Sequence, residues 1–161
     1  MDPERLGSIG HSQGAGITIY LAALDARVQA GVASCGMCPK RLSKNPFNVC
    51  RSRWWVGQPL LRPFARTGKD FPVDLHEYLA LAAPRGMFIS QALNDYKYTL
   101  DEQDVVRAAF EDLLANVRKV YELFGVPKRL DYVLHTDGHG FPAHQHEPAY
   151  RFLDGLLQAR R

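Results

Sequence analysis

The sequence predicts an α/β fold, a parallel sheet flanked by helices, on three observations. Short apolar runs that fit strands alternate with longer stretches of helical period, and that alternation implies parallel strands joined by right-handed crossovers. One of the runs is apolar at consecutive positions, as in a strand covered on both faces. The 161 residues, 46% hydrophobic and 23% charged, make one domain's length of chain with enough apolar content to bury a core.

The first strand is expected at Arg5–Gly10. Beyond Gly14 a helix carries Ile17, Leu21 and Leu24 at i, i+4 and i+7, with Ala22 and Ala23 as good helix formers between them. Val28–Cys35 reads as a second strand, bounded by Gly36 and Pro39. Residues 40–70 follow as a long irregular, lid-like insert, in which Pro46, Gly57, Pro59, Pro63 and Gly68 break every period. A helix is expected over Asp74–Ala83, stopped before Pro84, and a covered strand over Met87–Ile89 and Ala92–Leu93. The clearest helix places Val106, Phe110, Leu113, Val117, Val120 and Phe124 on one stripe. Thr99 and Glu102 are placed to form its capping box, and Gly125 with Pro127 ends it. Leu130, Tyr132 and Leu134 alternate with polar residues, as in a strand near a sheet edge. The last helix is expected to open around Glu147–Pro148 and to run through Phe152, Leu153, Leu156 and Leu157.

Composition excludes several classes. The apolar and charged fractions do not fit a disordered chain, a collagen-like repeat or a disulfide-dense mini-protein. No run approaches the ~18–20 consecutive apolar residues of a membrane-spanning helix. Met1–Arg5 lacks the apolar core of a signal peptide, so a soluble, cytoplasmic protein is expected. Three cysteines are too few and too odd in number for a disulfide framework, in keeping with a reducing compartment. The net charge of +3 is unevenly spread: eight of the 20 basic residues, and none of the 17 acidic ones, fall between Lys40 and Lys69. The chain is a mildly acidic body with one strongly basic segment.

Gly10-His11-Ser12-Gln13-Gly14 matches G-x-S-x-G between an expected strand and an expected helix. A sharp strand-to-helix turn presents the serine hydroxyl above the sheet, beside the positive end of the helix dipole, and flanking glycines avoid Cβ clashes. A serine becomes a nucleophile only beside a base that an acid orients. Asp95 and His139 both follow expected strands, at the sheet edge that presents Ser12. His11, next to Ser12 on a tight turn, is expected to pack or hydrogen-bond. His76, His135, His144 and His146 are weaker candidates for the base, and Asp137 or Asp101 for the acid. Asp101 and Asp104 suit the first turn of the long helix, where negative charge is favourable.

The chain resembles the α/β-hydrolase superfamily, in the branch of dienelactone hydrolases, prolyl-oligopeptidase-like proteins and acetyl-xylan-type esterases. The resemblance rests on residues 2–7 leading into Gly10–Gly14, residues 75–85, Asn94-Asp95, and Gly138-His139-Gly140-Phe141-Pro142 before the Tyr150–Leu153 helix. It implies a serine esterase working through an acyl-enzyme, with Ser12 as nucleophile, His139 as base and Asp95 as acid. The Gln13 backbone N–H would be one oxyanion donor. Serine in place of the cysteine of dienelactone hydrolases points toward the esterases, and peptidase activity is less favoured. The resemblance covers the C-terminal half of the family's domain, strands five to eight. The loop that supplies the second oxyanion donor is therefore missing, at an expected cost of about 100–1000-fold in rate. It also leaves a central sheet edge unpaired, so self-association into a homo-oligomer is expected. The alternative from a different class is a non-catalytic remnant or interaction module.

The other signals are weaker. Cys35-x-x-Cys38 with Cys50 lacks a fourth ligand at metal spacing, and His144-Gln145-His146 suits a helix start better than a metal pair, so no metal and no cofactor are expected. The basic insert, with Phe47, Trp54, Trp55 and Phe64, reads as a lid whose Trp54 and Trp55 line the site of a small-molecule ester, with His11 a further candidate contact. A solvated loop is the plainer alternative, and nucleic acid is not favoured.

Overall fold

The computed structural model describes residues 2–37, 39, 59–67, 71–95 and 103–158. Its elements are β1 (Leu6–His11), α1 (Gln13–Leu24), β2 (Val28–Ser34), a 3-10 turn (Pro59–Leu61) leading into α2 (Arg62–Thr67), α3 (Leu75–Ala82), β3 (Gly86–Ala92), α4 (Gln103–Leu123), a 3-10 turn (Pro127–Arg129), β4 (Leu130–His135) and α5 (Ala143–Leu157). The four strands form one parallel sheet in the order β1-β2-β3-β4. Every pairing joins strands that are consecutive in the chain, and each parallel pair is linked by the crossover that parallel pairing requires.

Helices cover both faces, and the pleat decides which residues each face receives. Ala33 and Ile89 join Ile19 of α1, Leu79 of α3 and Leu114 and Val117 of α4 in the larger core. Val32 and Phe88, one residue earlier on the same strands, pack with Ala149, Phe152 and Leu153 on the opposite face. β3 is buried at all seven positions, which accounts for its consecutive apolar residues. β4, at a sheet edge, is exposed or half-buried at its middle four. Among the described residues no helix is long and apolar enough to cross a membrane.

Four local expectations need correction. The α1 stripe points outward: Ile17, Leu21 and Leu24 are 50%, 41% and 72% exposed. The helix instead buries Ala15, Thr18, Ile19 and Ala22, because small side chains let it lie close to the sheet. In α4 the stripe is buried from Val106 to Val117, but Phe124 lies past the helix end and is exposed, and Tyr121 closes the core there. α5 begins at Ala143, a turn before Glu147, and takes Pro148 into its interior. That costs about 3 kcal/mol. Burial of Ala149 and the packing of Phe152 on Phe88, rings 5.7 Å apart, offset it, since each large apolar side chain buried contributes about 1.5–3 kcal/mol. Within the insert, residues 59–67 are helical rather than irregular. Pro63 sits in the first turn of α2, where a missing N–H breaks no intrahelical bond.

α3 carries a capping box. Asp74 Oδ1 accepts the Leu75 N–H at 2.8 Å, and the Glu77 carboxylate accepts the Asp74 N–H. Thr99 and Glu102, expected to cap α4, lie outside the described residues.

Candidate active site

Parallel register brings the strand ends together. His11 pairs with Ser34, Ser34 with Ser90 and Ala92 with His135, so the residues that follow these strands emerge along one edge. Loops at the carboxyl edge of a parallel sheet are where such folds bind ligands.

Ser12 occupies the turn from β1 into α1 at φ 57°, ψ −116°. A non-glycine residue held there costs on the order of 1–3 kcal/mol, so its surroundings must impose the conformation. The Ser12 N–H donates to Ser34 O at 2.8 Å, and its carbonyl accepts the N–H groups of Ala15 (3.1 Å) and Gly16 (3.3 Å). A Cβ on Gly10 would lie 2.2 Å from the carbonyl carbon and oxygen of Gly14, so the turn closes only over glycine. Gly14 itself differs from the expectation: a Cβ there would meet nothing within 4 Å. Gln13 opens α1, so its N–H has no intrahelical carbonyl one turn back.

His139 lies between Ser12 and Asp95. Its Nε2 is 2.9 Å from Ser12 Oγ and its Nδ1 is 2.8 Å from Asp95 Oδ2. An ionised carboxylate only accepts, so Nδ1–H donates to Asp95 and Nε2 is left to accept the serine hydroxyl. Asp95 is fully buried, three residues past β3, and the His11 ring packs 4.9 Å from that of His139. His11 Nδ1 also lies 3.1 Å from Ser34 Oγ, in keeping with a packing and hydrogen-bonding residue.

The competing residues have partners elsewhere. Asp137 Oδ2 is 3.1 Å from both His135 Nδ1 and His144 Nε2, and His146 Nε2 is 2.9 Å from Phe141 O. Buried His135 also contacts Ser90 Oγ at 3.3 Å. Burial pushes the His135 pKa down, against the opposing pull of Asp137. His76 lies on α3, 3.9 Å from Glu77. Cys38, Cys50, Phe47, Trp54, Trp55 and Asp101 lie outside the described residues.

Two residues with no role assigned from sequence hold the histidine loop. Asn94 donates its amide N–H to Thr136 O at 2.7 Å and accepts the Gly138 N–H at 2.9 Å. Cys35, left-handed at φ 49° and buried, directs its thiol at Gly140 O (3.4 Å) and Gly138 O (3.7 Å). Asn94 could be suspected only from its place beside Asp95, and the Cys35-x-x-Cys38 spacing pointed to metal chemistry rather than to this contact. Cys35, Asp95 and His139 also carry ligand atoms within 4.8 Å of one another, the one such metal-capable group among the described residues.

No protein-family profile matches the chain, and no curated protein matches it. Solved structures do. The chain is similar to a glucuronoyl esterase from Solibacter usitatus at TM-score 0.75 and 23% identity, covering 97% of this chain and 43% of that one. The glucuronoyl esterase catalytic domain of Hypocrea jecorina gives 0.76 and 17% identity, covering 100% of this chain and 46% of that one. The chain has part of an α/β-hydrolase fold. Methylesterase BT1017 matches at 0.63 and 18% identity, over 97% of this chain and 30% of that one. The chain thus spans less than half the length of these α/β-hydrolase structures. They are glucuronoyl esterases and a methylesterase.

Proposed function

We propose that the chain is the nucleophile-bearing part of a serine hydrolase that cleaves carboxylic esters. The observation that carries this reading is the continuous hydrogen-bonded path from Ser12 Oγ through His139 to buried Asp95, at the carboxyl edge of the sheet. Ser12 Oγ attacks the ester carbonyl carbon while its proton passes to His139 Nε2, and the carbonyl oxygen becomes an oxyanion facing the Gln13 N–H. Collapse of that intermediate breaks the carbon–oxygen bond to the alcohol, which leaves with the proton from Nε2. Water, deprotonated by the same nitrogen, then releases the acyl group from Ser12. Asp95 fixes the tautomer of the neutral imidazole and stabilises the imidazolium once it forms.

The names of the glucuronoyl esterases among the similar structures favour the carboxyl ester of an acidic sugar as substrate. The basic composition of residues 40–69 suits the carboxylate such a reaction releases. A fluorophosphonate probe tests the chemistry: wild-type protein becomes labelled and Ser12→Ala does not. Folded wild-type protein that resists the probe overturns the reading. It would favour the alternative, a non-catalytic interaction module.

Self-association belongs to the same proposal. Among the described residues β1 is one of the two outer strands of the sheet, and Ile9, Ile17, Leu21 and Leu24 are exposed on β1 and α1. Light scattering at micromolar concentration is expected to give a dimer or larger species, and a monomer there contradicts it.

A further inference from the structure

We propose that Cys35 is a positioning residue for His139, its thiol holding the turn that carries the imidazole. This rests on the serine hydrolase reading above and concerns a residue outside the Ser12–His139–Asp95 path. The Gly140 N–H donates to Gly138 O at 2.8 Å, closing a three-residue turn with His139 at its apex. The carbonyls on either side of that apex, Gly138 O and Gly140 O, are the two that the Cys35 thiol faces, across more than 100 residues of chain. A single S–H is a weak donor, so its value lies in where it is held.

Cys35 is itself firmly placed. Its N–H donates to Ser90 O at 2.8 Å, extending the β2–β3 ladder by one residue. Its left-handed backbone turns the chain so that Gly36 lies against the nucleophile turn, where a Cβ would sit 2.6 Å from Ser12 O and 2.3 Å from Ala15 Cβ. The Cys35-Gly36 pair therefore touches the serine turn through its glycine and the histidine turn through its thiol. Burial, with the nearby Asp95 charge in the same direction, pushes the thiol pKa up against opposing hydrogen bonds with the Ala92 and Gly140 backbone and the Ser34 side chain. As a donor Cys35 constrains the histidine turn; as a thiolate it would repel both carbonyls and Asp95.

Three variants separate donation from fold. Cys35→Ser keeps a donor; Cys35→Ala removes it; Cys35→Gly removes it while relieving the left-handed backbone, so it is expected to fold. The rate constant for fluorophosphonate labelling is expected to fall about tenfold in the alanine and glycine variants, with KM for an aryl ester unchanged. The serine variant should stay within about twofold of wild type. Wild-type rates in folded Cys35→Gly or Cys35→Ala, or a loss in Cys35→Ser equal to theirs, overturns the proposal. The low-field proton resonance of His139 Nδ1–H reads the same constraint without turnover. It should persist in wild type and Cys35→Ser and broaden or shift in Cys35→Gly, and an unchanged resonance there counts against it. Wild-type protein that keeps this resonance but resists labelling sinks the hydrolase reading instead.

Discussion

His139 Nε2 sits 2.9 Å from Ser12 Oγ, although 127 residues of chain separate the two. The contact closes only because β1 and β4 end on the same edge of one parallel sheet. Asp95, on the loop after β3, completes the path from the other side of the imidazole. In Asp95→Asn the amide can hold the ring while favouring the wrong tautomer. Ester turnover is expected to fall about 10⁴-fold with the fold intact. Stopped assays beside circular dichroism check this, and near-wild-type turnover in the variant removes Asp95 from the mechanism.

The two glycines that flank Ser12 should behave differently. Gly10→Ala places a methyl 2.2 Å from the Gly14 backbone, where nothing can give way without opening the turn. A loss of about 1–3 kcal/mol in urea unfolding is expected, together with loss of probe labelling. Gly14→Ala adds a methyl into open space in the first turn of α1, where alanine outranks glycine by up to about 1 kcal/mol. It should fold at least as well as wild type. Equal outcomes for the pair would contradict the geometry of the turn.

Arg85 ties the end of α1 to the start of β2. Its guanidinium donates to Asp25 O at 2.7 Å and Val28 O at 3.4 Å, and reaches Ala23 O and Leu81 O at 3.5 and 3.4 Å. No uncharged side chain satisfies so many carbonyls at once, so Arg85→Ala should destabilise by about 1.5–3 kcal/mol, read from the denaturation midpoint. Lysine has one donor head in place of a planar fork and should recover only part of it. Full stability in the alanine variant would assign these carbonyls to water.

His135 makes stability depend on pH. Its pKa in the folded protein lies below that of an unperturbed histidine, chiefly through burial, with Asp137 and Asp95 pulling upward and His144 pushing downward. Below a pH of about 6.5 the unfolded chain therefore binds a proton that the folded state resists. Stability contributed by neutral His135 is complete above that pH and is lost as pH falls through the folded pKa. The loss of stability between pH 8 and pH 5 should be smaller in His135→Gln than in wild type. Parallel pH dependences would place the titration elsewhere.

Much of this architecture was legible in the sequence because its causes are local. Helical and strand periods, the breaks at Gly125 and Pro127, and the G-x-S-x-G turn all depend on residues a few positions apart. Asp95 and His139 could be nominated from their places after expected strands, which is again a local property. The orientation of α1 could not be read the same way. Its apolar stripe, Ile17, Leu21 and Leu24, has the right spacing for a core face, yet the helix approaches the sheet on Ala15, Ile19 and Ala22. Close approach favours small residues, and periodicity measures spacing rather than the room available.

By itself, then, the sequence determined the alternation of strands and helices, the serine turn and the unequal charge of body and insert. Tertiary structure alone decided the pairings. It set Asp95 rather than Asp137 against His139, turned Asp137 toward His135 and His144, and aimed the Cys35 thiol at the histidine turn. The physical reason is register. The Asp95–His139 and Cys35 contacts join loops that follow different strands, and where they meet depends on how parallel strands align, a choice made by packing across the whole sheet.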